Sequence, residues 1–209
     1  MSVIDIEHLG LKIKNDIILS DINLCLEEGK IYGIVGRNGS GKTMLMKCIC
    51  GFVKPTTGTV KVNGKIVGKD IDFPDNIGLI IETPGFIPYY SGLKNLKILA
   101  SLNRKIGNHE IMEAIDMVGL KGQENKLVRK YSLGMKQRLG LAQAIMENPS
   151  IYILDEPMNG LDEEGVEEIR RILIDLKKKG KTILLVSHNS EDINLLCDEI
   201  FRISRGVLV

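Results

Sequence analysis

The sequence predicts an α/β fold: a core of alternating strands and helices into which a helical lobe is inserted. Three observations support this. Ile31–Val35, Ile151–Leu154 and Thr182–Val186 are short, nearly continuous apolar runs, the pattern of strands buried on both faces in a mainly parallel sheet. Strands toward both ends of the chain alternate with helices. From Ser91 to about Asn148 the pattern is purely helical, which places a lobe at residues 87–148 and the core at 1–86 and 149–209 of a single domain.

Taken in order, Val3–Ile6 and Ile22–Leu26 alternate apolar and polar residues, as half-buried strands do. Glu28-Gly29-Lys30 is a turn before the first apolar run. Thr43 to Cys50 reads as a helix, with Gly51 suited to its C-terminal end. Thr59–Val62, Asn63-Gly64 and Lys65–Val67 give a hairpin signal, and Asn76–Ile81 is another strand. The helical block breaks at Gly107 and near Gly119–Gly122. After the second apolar run, a helix from about Asp162 to Lys179 carries Val166, Ile169, Ile172, Leu173 and Leu176 as one stripe. Glu199–Ile203 closes the chain, followed by the Arg205-Gly206 turn.

Composition narrows the function classes. Lys and Arg number 28 against 27 Asp and Glu, and the formal net charge of +1 gives no support to a nucleic-acid or membrane-surface role. Hydrophobic residues make up 44% of the chain, enough for a sizeable core. Cys25, Cys48, Cys50 and Cys197 lack metal-ligand spacing, so buried reduced thiols are expected, with a disulfide or zinc site as the alternative. The N-terminus meets acid at Asp5 and Glu7 and has no signal-peptide pattern. No apolar run approaches the roughly 20 residues of a membrane span. A soluble, cytosolic chain is the expectation.

The sharpest local signal is Gly36-Arg37-Asn38-Gly39-Ser40-Gly41-Lys42-Thr43, set directly between a strand and a helix. This is the context of a phosphate-binding P-loop. Its glycines permit conformations closed to other residues, so successive N–H groups can turn inward onto phosphate. The following helix adds its positive N-terminal end. Lys42 supplies a full charge to the β- and γ-phosphate oxygens, and the Thr43 hydroxyl can ligate Mg²⁺. At the carboxyl end of the second apolar strand stand Asp155 and Glu156, where ligands of open α/β sheets bind. Adjacent acids point in different directions and can take two roles. Asp155 suits the Mg²⁺ shell, and Glu156 suits the water that attacks the γ-phosphate. A pair of solvated acids at a strand end is the plain alternative, disfavoured because a P-loop NTPase needs a second acidic strand for its metal.

Tyr131-Ser132-Leu133-Gly134-Met135-Lys136-Gln137-Arg138 narrows the kind of NTPase. This segment resembles the signature sequence of ABC ATPases, and with the other motifs in the same order the full chain looks like an ABC nucleotide-binding domain. The resemblance implies a P-loop NTPase core with a mainly parallel sheet, an N-terminal antiparallel β subdomain and the inserted helical lobe. It also implies ATP and Mg²⁺ as cofactors, and two such domains packed head to tail, so that Ser132 and Gly134 of one donate to the nucleotide held by the other. A serine at a helix start presents a hydroxyl and free N–H groups to an anion, but Ser132 could equally be the helix N-cap, and both can hold at once.

Asn159-Gly160-Leu161-Asp162 resembles the D-loop that crosses the dimer interface, while Asp162 would also serve as N-cap of the next helix. His188, after the third apolar strand and Ser187, matches the switch histidine, whose imidazole can hold the attacking water against Glu156. Without a membrane segment, the chain would work with separate permease subunits and a second copy of itself, at the inner face of the cell membrane, with no nucleic acid as partner. The -SLGMKQR- form resembles the variant in ATPase subunits of exporters for drugs, antimicrobial peptides and bacteriocins. A soluble ABC-type ATPase in DNA repair or on the ribosome is the alternative, as is a binding-only regulatory domain.

The chain departs from the family pattern at four positions. Leu133 stands where the commoner signature has Gly, and Met135 where it has Gln. In Ile81-Glu82-Thr83-Pro84-Gly85-Phe86, Glu82 replaces the usual Gln of the Q-loop. A carboxylate there can still ligate Mg²⁺ or accept its water, and it makes tight nucleotide binding more dependent on the metal. The aromatic that stacks on adenine is missing; Ile13 is closest to its place and offers no π-stacking, so GTP is expected to compete better than in members with the aromatic.

Overall fold

The three apolar runs are strands in the computed structural model, which describes residues 1–82 and 84–209. Thr83, quoted above within the Q-loop segment, lies outside the described residues. In chain order the first elements are β1 (Ser2–Ile13), β2 (Asp16–Glu27), β3 (Ile31–Val35), α1 (Lys42–Ile49), β4 (Thr57–Val62), β5 (Lys65–Ile66) and β6 (Ile77–Ile80). Next come α2 (Gly92–Asn103), α3 (Asn108–Met117), a 3-10 turn (Val128–Lys130), α4 (Leu133–Ile145), β7 (Ile151–Asp155) and α5 (Glu163–Lys178). The chain continues through β8 (Thr182–Val186), α6 (Ser190–Leu196), β9 (Glu199–Ser204) and β10 (Val207–Leu208). It forms two compact units, Met1–Asp75 with Lys177–Val209, and Asn76–Leu176.

In the first unit, β2, β1, β4 and β5 form an antiparallel sheet in that order. β1 and β2 bury alternate residues, the mark of a sheet with one face on the core. Both strands are longer than the alternation predicts. Register shifts between Ile6 and Leu9 and between Leu9 and Leu11 interrupt the period of two, and His8 and Asp21 take positive φ values of 50° and 51°. The bulges hide the continuity of the strands from a pattern reading. β3 pairs in parallel with β8 on one side and β9 on the other, and every residue of β8 is buried.

Two elements of this unit were not anticipated. α6 has only seven residues, too few for a periodic signal. The chain does not close with β9: the Arg205-Gly206 turn, with φ of 48° and 79°, folds β10 back antiparallel onto it. The thiols also depart in part from expectation. Cys48 and Cys50 are buried, but Cys25 is exposed, because Ile22, Leu24 and Leu26 occupy the inner face of β2 and Cys25 falls on the outer one.

In the second unit, β6 and β7 pair in parallel, and α4 packs on β6 and α3. The expected helical lobe lies within this unit, and its breaks fall as read: Gly119 and Gly122 take φ of 73° and 80°, and Gly107 starts α3 with its N–H donated to Glu110. The stripe on α5 is narrower than expected. Ile169, Leu173 and Leu176 are buried, whereas Val166 and Ile172 are only half-buried. Among the described residues no helix is long and apolar enough to cross a membrane.

Candidate active site

The first unit supplies the phosphate loop. β3 delivers Gly36 at its carboxyl end and α1 starts at Lys42. Gly39 and Gly41 take φ of 76° and 110°, conformations in which a side chain is strained. Gly36 is glycine for a different reason: an added methyl would run into the carbonyl of Ile203 on β9. The loop is tied by Ser40 N–H to Arg37 O at 3.1 Å and by Gly206 N–H to Ser40 O at 3.0 Å. Gly41, the N-cap of α1, has no side chain to cap the helix.

Lys42 is buried, and its Nζ donates to Gly36 O at 2.7 Å and Arg37 O at 3.1 Å. The ammonium is therefore held over the loop by the loop's own carbonyls. The arrangement is a concave nest with one fixed positive charge, a geometry made for the phosphates of a nucleotide.

The same edge of this unit carries His188. In the parallel register Ile34 faces Val186, and Gly36 and His188 each follow two residues later, beyond the ends of β3 and β8. The histidine is exposed. Its turn is fixed from behind: buried Ser187 Oγ donates to Asp192 Oδ2 at 3.2 Å and accepts from Asn189 N–H, while Asn189 Oδ1 accepts from Glu191 N–H. Ile13 ends β1, paired with Asp16 and 42% exposed, so an apolar surface is available for a base.

The second unit contains the acids. β7 ends at the half-buried Asp155, and Glu156 follows. Ile80 of β6 faces Leu154 of β7, so Glu82 and Glu156 hold matching positions beyond the two strand ends. Both take left-handed backbone conformations, with φ of 60° and 50°, which cost non-glycine residues about 1–3 kcal/mol each.

The Glu156 carbonyl is held twice, by Asn159 N–H at 3.1 Å and by Gln137 Nε2 at 2.8 Å. The sequence reading missed Gln137 as a positioning residue; the available signal was a buried polar side chain inside an otherwise apolar face of α4. Among the described residues no three His, Cys, Asp or Glu side chains converge as a metal cluster. A cation carried in with a nucleotide needs none, since phosphates and water supply most of its ligands.

Ser132 is the N-cap of α4, its Oγ accepting from Met135 N–H at 3.1 Å. The hydroxyl is exposed and keeps its proton for donation, so capping and anion contact are compatible. Asp162 caps α5 through Oδ1 and Gly165 N–H at 3.0 Å.

A family model for the ABC transporter matches residues 19–159, two thirds of the chain. The chain belongs to the ABC transporter family. It is similar to the uncharacterized ABC transporter ATP-binding protein YybJ of Bacillus subtilis (strain 168), with 44% identity over 99% of this chain and 94% of that protein. It is 43% identical to the bacitracin transport ATP-binding protein BcrA of Enterococcus faecalis, over 99% of this chain and 68% of that one. The lantibiotic transport ATP-binding protein SrtF of Streptococcus pyogenes is 34% identical, over 99% and 89% of the two chains. Among solved structures, the dimeric post-hydrolysis state of an ATP-binding cassette bound to ADP and Pi superposes with a TM-score of 0.88 at 25% identity, covering 98% of this chain and 96% of that one. The chain is an ATP-binding ATPase subunit of the ABC type, and its fold is the one the motifs implied.

Proposed function

We propose that this ABC subunit drives export of an antimicrobial peptide or similar compound through a separate membrane permease, working as a dimer at the inner face of the membrane. The loop from Gly36 to Thr43 carries the reading, because its nest and buried lysine fit a triphosphate. The names of the bacitracin and lantibiotic relatives support the class of cargo, and the dimeric cassette supports a second copy as partner.

In this reading backbone N–H groups of the loop from Gly36 to Thr43 and the Lys42 ammonium bind the β- and γ-phosphates. Ile13 packs on the purine. Thr43, Asp155 and Glu82 are oxygen donors of the kind a hard cation takes, and they would hold Mg²⁺. The cation would draw charge from the phosphates when bound. Glu156 accepts the proton of the attacking water, and His188 orients that water and the γ-phosphate. Ser132 and Gly134 of the second copy donate to the same γ-phosphate, so the isolated monomer is expected to bind ATP yet hydrolyse it poorly.

The test is copurification of the tagged chain with its permease, followed by ATP turnover in the presence of candidate peptides. Stimulation by a lantibiotic or bacitracin-like peptide supports the reading. Isolation with ribosomes or DNA and no membrane protein overturns it in favour of a permease-free ATPase.

A further inference from the structure

Leu133 stands where the commoner signature has glycine, between Ser132 and Gly134, and the catalytic reading gives it no task. It is the first residue of α4, and 57% of its surface is exposed. An exposed leucine is ordinary by itself. Its neighbour is not. A methyl group on Gly160 would stand 2.5 Å from Leu133 Cδ2, 2.7 Å from Cγ and 3.5 Å from Cβ. The leucine thus lies directly on the Cα of Gly160, a residue that also requires glycine for its φ of 75°. Gly134 meets the same segment: a methyl there would be 3.0 Å from Gly160 O and 3.1 Å from Leu161 Cδ2.

Further along, Arg138 of α4 pairs with Glu168 of α5 and also donates to Val118 O at 2.8 Å. That ion pair fastens the two helices five residues, about one and a half turns, after their first residues. At the starts themselves, the Leu133–Gly160 contact and the approach of Gly134 to Gly160 and Leu161 join α4 to the loop at 159–161.

We propose that Leu133 is a positioning residue that latches the loop at 159–162 to the start of α4, so that Ser132, Gly134 and the loop move as one piece. Leucine at 133 and glycine at 160 are then a matched pair: the side chain of one occupies the space that the other leaves. Glycine at 133 would remove the contact and loosen the first helical turn together. The consequence for turnover rests on the function proposed above; the latch itself does not.

Amide hydrogen exchange on the full chain tests the latch. In Leu133→Gly the amides of residues 159–162 should exchange roughly tenfold faster, as local opening becomes easier, while those of residues 36–43 stay unchanged. Leu133→Met should restore protection. Gly160→Ala should be damaging, and less so when combined with Leu133→Ala, because the clash is gone and only the backbone strain remains. Strict additivity of the two, or unchanged exchange in Leu133→Gly, overturns the latch.

In ATP hydrolysis, Leu133→Ala should lower kcat several-fold with KM for ATP nearly unchanged, the signature of an effect on the reacting arrangement rather than on ground-state binding. A change confined to KM overturns the positioning role. Should the wild-type chain fail to hydrolyse ATP at all, the function proposed above fails, and the exchange experiment still decides the latch.

Discussion

In the phosphate loop the left-handed backbone positions fall on Gly39 and Gly41, whereas at the ends of β6 and β7 they fall on Glu82 and Glu156. Glycine takes such angles without steric cost. Glutamate does not, and each position must be held there by its surroundings. The loop's ligand groups are mostly its own backbone, tied by short-range bonds such as Ser40 N–H to Arg37 O and Lys42 Nζ to Gly36 O. The Glu156 carbonyl is held by the nearby Asn159 N–H and also by Gln137, 19 residues away along the chain. The loop is held mainly by bonds within itself, with Gly206 N–H on Ser40 O as its long-range tie, while the Glu156 carbonyl adds to a local bond one from a side chain on another element. They should therefore respond to mutation in different ways.

The largest effect separates their chemistry. Glu156→Gln should lower turnover by roughly 10²- to 10⁴-fold, as loss of a general base implies, while ATP binding persists. Lys42→Ala should instead weaken ATP binding itself. Equilibrium binding of labelled ATP alongside single-turnover hydrolysis reads both, and near-normal hydrolysis by the glutamine variant would remove Glu156 from its role.

Dependence on packing is tested by Gln137→Ala. Loss of one of the two partners of the Glu156 carbonyl should cost about 0.5–1.5 kcal/mol in denaturant unfolding and reduce kcat, with ATP affinity retained. Wild-type turnover in this variant would mean that the acidic end is as self-sufficient as the loop.

A smaller effect of opposite sign is expected on β7. Tyr152 is fully buried, and its hydroxyl has no hydrogen-bond partner among the described residues. Tyr152→Phe should stabilise the chain by about 1 kcal/mol and raise Tm by about 2–4 °C for a chain of this size. A drop in Tm would reveal a partner for the hydroxyl.

The smallest effect concerns the thiols. Burial pushes the thiols of Cys48, Cys50 and Cys197 up to about 11, 12 and 12, so they stay protonated and slow to react at pH 8. Cys25 is exposed. Brief alkylation of the native chain should add one group, read by intact mass. Rapid addition at Cys48 or Cys50 would mean that α1 opens easily, against the expectation that the loop and its helix are the self-sufficient region.

The outer face of β2 could have been read from the alternation of Ile22, Leu24 and Leu26, which already puts Cys25 on the polar side. Other features were not legible. The bulges near His8 and Asp21 break the pattern that would have revealed the full lengths of β1 and β2. β10 has two residues, and only its pairing with β9 makes it a strand. The matching positions of Glu82 and Glu156 follow from the pairing of strands far apart in the chain.

The sequence by itself determined the phosphate loop, the acidic end of β7, the caps at Ser132 and Asp162 and the alternation that builds the core, because each depends on residue type at short spacing and on local backbone geometry. The tertiary structure decided which side chains hold Glu156 and what Leu133 rests on. Those depend on which elements meet and in what register, and short-range spacing carries no record of that.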